Sequence, residues 1–103
     1  MANVEIDIDG EKLYMAVQDA EGTEGALSEA VNSISSRANA LSSGFRTGRY
    51  YDREAHELKG DTQPSYKGDV RRMGKTEVGI VYTANYAAMK DNMEHNTLLK
   101  SVR

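Results

Sequence analysis

A stripe of apolar residues between Thr23 and Ser42 constrains the fold of this chain more than any other feature of its sequence. Its members are spaced three or four residues from one another and are Leu27, Ala30, Val31, Ile34, Ala38 and Leu41. This spacing places them along one face of an α-helix. Thr23 can cap the amino terminus, Glu24 lies where the helix dipole favours an acid, and Gly44 can end the helix. The sequence therefore predicts a long amphipathic helix over residues 23–43.

A β-branched run from Thr76 to Thr83 is the second strong pattern. Alternate residues of a strand point to opposite faces, with Val78, Ile80 and Tyr82 on an apolar face and Glu77, Gly79, Val81 and Thr83 on a mixed one. We expect the apolar face to be buried in an antiparallel sheet. A partner strand is predicted within residues 49–58, whereas the periodicity of residues 11–19 does not decide between a helix and a strand.

Two further segments are predicted to be exposed. Residues 60–74 contain the only proline and three of the nine glycines, which predicts a long exposed loop. Loops of this length tend to be functional or to become ordered on a partner. Residues 96–103 are predicted to form a short terminal helix or a C-terminal arm, whose apolar side chains need a surface to bury against. That surface can belong to a neighbouring subunit.

These elements predict one α+β domain, residues 1–103, in which the long helix packs on a small antiparallel sheet. Along the chain we expect an N-terminal segment (1–22), the helix (23–43), a turn with a possible strand and the loop (44–75), a strand with a Tyr-Ala segment (76–95), and the arm (96–103). Leu, Ile, Val and Phe together make up only 18 of the 103 residues, so the core is thin. Burial against other subunits would add stability.

Charge is distributed unevenly along the chain. Residues 1–43 carry eight acidic residues against two basic ones, and residues 44–75 carry eight basic residues against five acidic ones. Opposite charges can pair within a subunit or between neighbouring subunits, and they can also form two solvated faces.

The common catalytic and metal-binding patterns are absent from the sequence. There is no cysteine, which excludes disulfides, thiolate nucleophiles and cysteine metal sites. Asp7, Asp9 and Gly10 lack the spacing of a calcium loop, and His56 and His95 lack that of a metal site. No serine lies in a G-x-S-x-G elbow, so nucleophilic catalysis lacks its parts. We therefore expect no catalytic, cofactor-binding or metal-binding residues and no enzymatic activity on a small-molecule substrate.

No membrane segment is expected either. The residues at the N-terminus are acidic where a signal peptide would be basic. The longest uncharged stretch of the C-terminal half, residues 78–89, is too short to span a bilayer.

Two stretches of the chain resemble the neck proteins of tailed bacteriophages, in particular siphophages. The first is Arg46-Thr47-Gly48 followed by Tyr50, directly after the predicted helix. The second is the predicted strand running into Asn85-Tyr86-Ala87 and on to the leucine-bearing C-terminal segment. Many members of the family carry Glu-Phe-Gly-Thr soon after the Tyr-Ala pair, whereas this chain has Met89-Lys90-Asp91-Asn92. The position within the neck, as connector, stopper or tail terminator, is therefore left open.

The resemblance implies a structural virion protein that is made in the cytoplasm of the host bacterium and is located in the virion neck. Copies of it would form a closed ring, six- or twelve-fold, that joins the capsid and portal to the tail around the DNA channel. The implied partners are copies of itself, adjacent neck, portal or tail-tube proteins, and packaged DNA, which is contacted without sequence specificity.

Nine residues are predicted to lie at the interfaces of such a ring. Apolar burial against a neighbour is expected for Tyr86, Met89, Leu98, Leu99 and Val102. Ionic contacts with a neighbour's acidic segment or with DNA are expected for Arg46, Arg49, Arg71 and Arg72. The alternative is a small DNA-binding regulatory protein that uses the arginine-rich residues 44–75, whose aromatic side chains could stack on bases.

Overall fold

A computed structural model describes residues 4–18 and 25–102 of the chain. The strands are β1 (Val4–Asp9), β2 (Lys12–Val17), β3 (Tyr50–Asp52), β4 (Glu57–Lys59), β5 (Tyr66–Met73) and β6 (Thr76–Thr83). The helices are α1 (Ser28–Leu41), α2 (Tyr86–His95) and α3 (Thr97–Ser101). Four strands form an antiparallel sheet in the order β1-β2-β6-β5, and β3 and β4 form a separate two-stranded sheet. The predicted α+β class with an antiparallel sheet is confirmed.

The core lies between α1, the C-terminal helices and one face of the four-stranded sheet, which we call the covered face. The buried side chains of its hydrophobic cluster are Leu13, Met15, Val17, Leu27, Val31, Ala38, Tyr66, Val81, Ala88 and Leu98. Two glycines allow α1 to approach the sheet closely. A Cβ atom placed on Gly68 would overlap Val31, and one placed on Gly79 would lie 2.6 Å from Val31 Cγ2. Val31 therefore fills the space above this glycine pair.

The helix is shorter than the predicted residues 23–43: α1 covers 14 residues and begins at Ser28. The predicted cap Thr23 and the acid Glu24 lie outside the described residues. The turn that leads into α1 is held by Glu77 of β6, which is 3% exposed. The Glu77 carboxylate accepts hydrogen bonds from the backbone N–H of Leu27 at 2.6 Å and of Gly25 at 3.1 Å. An acid from a distant strand thus holds the turn, residues 25–27, that precedes α1.

The predicted loop over residues 60–74 is wrong in its second half, where the chain forms the edge strand β5. Its covered-face positions include Gly68 and Arg72, and its other face is charged, so the sequence lacks the apolar alternation of a typical strand. Gly68 is needed there because Val31 occupies the space of a side chain. A turn at Gly74, where φ is +63°, then connects β5 to β6.

The predicted orientation of β6 and its predicted partner strand are also wrong. Val81 and Gly79 lie on the covered face, whereas Val78, Ile80 and Tyr82 lie half-buried on the opposite face. A glycine faces the helix because close approach of α1 requires a small residue there. The neighbours of β6 are β2 and β5, and residues 49–58 contribute the separate β3–β4 hairpin.

The C-terminal segment is not a free arm. Leu98 of α3 is 0% exposed, and Val102 packs against the same core. Asn96 adopts the left-handed conformation, with φ of +52°, and so allows the chain to turn sharply between α2 and α3. Within the described ranges, no helix has the length and apolar character that crossing a membrane requires.

Candidate interaction site

An aromatic groove lies between the β3–β4 hairpin and the start of α2. The rings of Tyr50 and Tyr86 stack there with their centroids 4.5 Å apart and their planes inclined by 28°. The groove has a volume of about 750 Å³, and Tyr51 and Met89 also line it. Tyr51 is 56% exposed and Tyr86 is 41% exposed, so the groove offers apolar surface to solvent.

Asn85 fixes the position of Tyr86. Its side-chain Oδ1 accepts hydrogen bonds from the backbone N–H of Ala88, at 2.8 Å, and of Ser65, at 3.1 Å. Its Nδ2 donates to the Gln63 carbonyl at 3.0 Å. Asn85 is thus the N-cap of α2 and also ties this helix to the segment before β5.

The Arg46-Thr47-Gly48 turn leads the chain to Tyr50 on the other side of the groove. Asp61 holds this turn by accepting from the Gly48 N–H at 3.0 Å and by pairing with Arg46 at 3.7 Å. The Thr47 hydroxyl accepts from the Thr62 N–H at 3.1 Å. Gly48 has a φ of +69°, a conformation that residues with a side chain rarely adopt.

The charges at the groove are mostly negative. Three acidic residues, Glu11, Asp52 and Glu54, line it together with one basic residue, Arg53. An aromatic, acidic groove suits a segment with apolar and basic side chains. It disfavours a phosphate backbone, which would meet like charge.

A second polar cluster, around Asp91, holds the C-terminal helices in place. Asp91 is 3% exposed and accepts hydrogen bonds from the hydroxyls of Tyr66, at 2.7 Å, and Thr97, at 2.6 Å. Its other oxygen lies 3.2 Å from His95 Nδ1. Burial, followed by the hydrogen bond to Asp91, raises the pKa of the Tyr66 phenol above its ordinary value. The cluster joins β5, α2 and α3, and its carboxylate is fully occupied by structural partners.

The nine predicted interface residues do not form one surface. Tyr86 and Met89 come together in the aromatic groove, and Leu99 is 38% exposed on α3. The assignment of Leu98 to a subunit interface is corrected, because its side chain is buried in the core of its own chain. Val102 is half-buried against that core.

The four predicted arginines are separated into two pairs. Arg46 and Arg49 follow the C-terminal end of α1, whereas Arg71 and Arg72 lie near its N-terminal end, and the helix is about 20 Å long. Arg71 pairs with Asp69 at 3.4 Å. The arginines therefore do not combine into one basic surface.

The sequence identified the separate motif residues but not the Tyr50–Tyr86 contact, the contacts of Glu77 with the turn before α1 or the cluster at Asp91.

Among the described residues, no group of three or more His, Asp or Glu side chains is arranged to hold a metal ion. Comparison with protein-family models, with curated proteins and with solved structures gives no match to this chain.

Proposed function

We propose that this chain is a structural subunit of the neck of a tailed bacteriophage, where copies of it form a ring that joins the capsid and portal to the tail. In this role the chain has no catalytic activity. It acts by binding neighbouring copies and the adjacent neck, portal or tail-tube proteins, and packaged DNA passes through the ring.

One observation carries the proposal. The two stretches on which the resemblance to neck proteins depends are far apart in sequence, yet Tyr50 of the first stacks on Tyr86 of the second. Both stretches are held by side-chain hydrogen bonds to the segment before β5, from Asp61 to Ser65. The motif residues thus form one local structure at one end of the sheet.

The chemistry of the aromatic groove supports a protein partner. Its exposed tyrosines and Met89 offer apolar contact, and its carboxylates favour a basic side chain from the partner. The arginine pairs, each with an acid beside it, suit ionic contacts with a neighbouring subunit better than a continuous track along DNA.

A deletion and complementation experiment tests the proposal in the phage that encodes this chain. Without the chain, electron microscopy should show DNA-filled heads and separate tails, and the wild-type chain supplied from a plasmid should restore joined particles. Joined, infectious particles in the absence of the chain would contradict the proposal.

A matched pair of variants tests the role of the groove. Met89→Glu places an acid in an already acidic groove and should reduce the yield of joined particles at least tenfold. Met93→Glu lies on the same helix but is 74% exposed and outside the groove, so it should complement like the wild type. Equal complementation by the two variants would show that the groove has no role in assembly.

DNA binding distinguishes the regulatory alternative. A DNA-binding regulator that neutralises several phosphates loses affinity steeply as salt rises. Titration of duplex DNA at about 50 and 200 mM salt should give weak binding at both concentrations for a neck subunit. Tight binding with a steep salt dependence would favour the regulator.

A further inference from the structure

The face of the four-stranded sheet opposite the helices, which we call the open face, has an apolar centre. Its central residues are Tyr14 and Ala16 of β2 and Val78, Ile80 and Tyr82 of β6. All five are half-buried by their neighbours in the sheet, and none belongs to the core cluster. The described helices pack on the covered face, so they leave these side chains without a covering layer.

Opposite charges flank this apolar centre. On the open face, the edge strand β1 carries Glu5, Asp7 and Asp9, all exposed. The other edge strand, β5, carries Lys67 and Arg71, also exposed, with Asp69 between them paired to Arg71. The face is therefore acidic at one edge, apolar in the middle and basic at the other edge.

We propose that the open face binds the open face of a second copy of this chain, about a two-fold axis that runs along the strands. This proposal does not rest on the proposed neck function. Only two directions of a two-fold axis in the plane between the sheets keep the strands of both copies aligned, as stacked sheets prefer. An axis across the strands would place β1 against β1 and acid against acid. An axis along the strands places β1 against β5 and acid against base.

The strand register gives the contacts row by row. One row of the open face contains Asp9, Lys12, Tyr82 and Lys67, the next contains Asp7, Tyr14, Ile80 and Asp69, and the third contains Glu5, Ala16, Val78 and Arg71. A two-fold axis along the strands places each row opposite the same row of the second copy.

Each outer row then pairs opposite charges. Asp9 meets Lys67 of the second copy, and Glu5 meets Arg71 of the second copy. Both pairs occur twice by symmetry. In the middle row Tyr14 covers Ile80 of the second copy. The one like-charged approach in these rows is that of Asp7 to Asp69 of the second copy, and this Asp69 lies beside Arg71 of its own chain.

The size of the face sets the strength of the contact. Four strands at about 4.8 Å spacing, each six to eight residues long at about 3.3 Å per residue, give a footprint of about 400–500 Å² per copy. The two copies together would bury about 800–1,000 Å², which is less than the roughly 1,200–2,000 Å² of stable specific interfaces, so the dimer should be weak and depend on concentration.

Sedimentation velocity at about 10 to 500 μM protein, a range set by the micromolar affinity expected of so small a contact, tests the proposal. The wild-type mass should rise from 11.4 kDa towards twice that value. The double variant Glu5→Lys/Asp9→Lys and the double variant Lys67→Glu/Arg71→Glu should each raise the dimer dissociation constant at least tenfold. The chain with all four reversals should dimerise like the wild type, because its edges are again complementary.

Variants in the apolar centre separate face-to-face contact from pairing through the strand edges. Ile80→Asp and the milder, isosteric Val78→Thr should both weaken the dimer, with folding checked by circular dichroism. The proposal would be overturned if the wild type stayed monomeric at every concentration, or if the single-edge reversals had no effect on the dimer. It would also be overturned if the four-fold reversal did not restore the dimer, or if neither central variant weakened it.

Discussion

The glycine at position 79 lies beneath α1, and Gly79→Ala tests the close approach of this helix to the sheet. The added Cβ would lie 2.6 Å from Val31 Cγ2 and 3.4 Å from two atoms of Leu27. Ordinary carbon contacts are about 3.5–4.0 Å, so Val31 or the whole helix must move by about 1 Å. Valine in a helix is nearly confined to one side-chain rotamer, which leaves it little freedom to move aside.

The expected cost follows from these distances. Overpacking a core costs about 1–3 kcal/mol, and the lower chain entropy of unfolded alanine offsets about 0.4–1 kcal/mol of it. We therefore expect Gly79→Ala to lower the free energy of unfolding by about 1–2 kcal/mol, which corresponds to a fall in Tm of about 4–16 °C for a domain of this size. Urea unfolding and thermal melting followed by circular dichroism measure both values.

Two variants make this prediction refutable. Gly60→Ala is the matched control, because a Cβ there has no atom within 4 Å, and it should leave stability unchanged or slightly higher. Val31→Ala removes the clashing methyl groups, so the double variant Gly79→Ala/Val31→Ala should be more stable than the sum of the single effects predicts. Gly79→Ala with wild-type stability, or strictly additive effects in the double variant, would refute the packing described for α1.

Two other predictions concern buried polar groups. Glu77→Gln should destabilise the chain by about 1–3 kcal/mol in urea unfolding, because the amide can offer only one oxygen where the carboxylate accepts two N–H groups. The control is Glu57→Gln on the exposed β4, which should have no measurable effect. Equal effects of the two substitutions would argue against the role of Glu77. Tyr66→Phe should cost about 1–3 kcal/mol near neutral pH, because the buried Asp91 loses a donor. Because folding raises the pKa of the Tyr66 phenol, its contribution is fully present below pH 10.0, the ordinary pKa of tyrosine, and is lost as pH rises further. The stability difference between Tyr66→Phe and the wild type should therefore narrow in alkaline solution, and a difference that widens there would contradict this linkage.

The apolar stripe of the helix could be predicted because its signal is local. Spacing at three and four residues identified the helix face on which Leu27, Val31 and Ala38 are buried, although Leu41, the last member of the stripe, is 56% exposed. The beginning of the helix could not be predicted in the same way. It depends on Glu77, which lies 50 positions beyond Leu27 and is positioned by the pairing of β6 in the sheet.

Strand β5 was missed because its residues suit close packing against α1 and do not show the apolar alternation of a typical strand. Gly68 occupies a covered-face position where an apolar residue would complete the alternation, and the space belongs to Val31 instead. The orientation of β6 was misjudged for a related reason. Both of its faces carry apolar residues, and only the position of α1 decides which face is covered.

The C-terminal segment illustrates a different limit. Its leucines indicated burial, which is correct for Leu98, whereas Leu99 is 38% exposed. A sequence does not specify which surface buries such a residue, and Leu98 packs into its own chain. The aromatic groove was likewise visible only as separate motifs. Tyr50 and Tyr86 are brought together by hydrogen bonds to residues 61–65, a segment that the sequence identified only as part of a loop.

The location of the chain in purified phage particles tests the central claim most directly. Quantitative mass spectrometry of the virion should find a fixed number of copies, and cryo-electron microscopy should place the four-stranded sheet and α1 in a ring at the junction of head and tail. A chain that is abundant in infected cells but missing from purified virions would contradict the account.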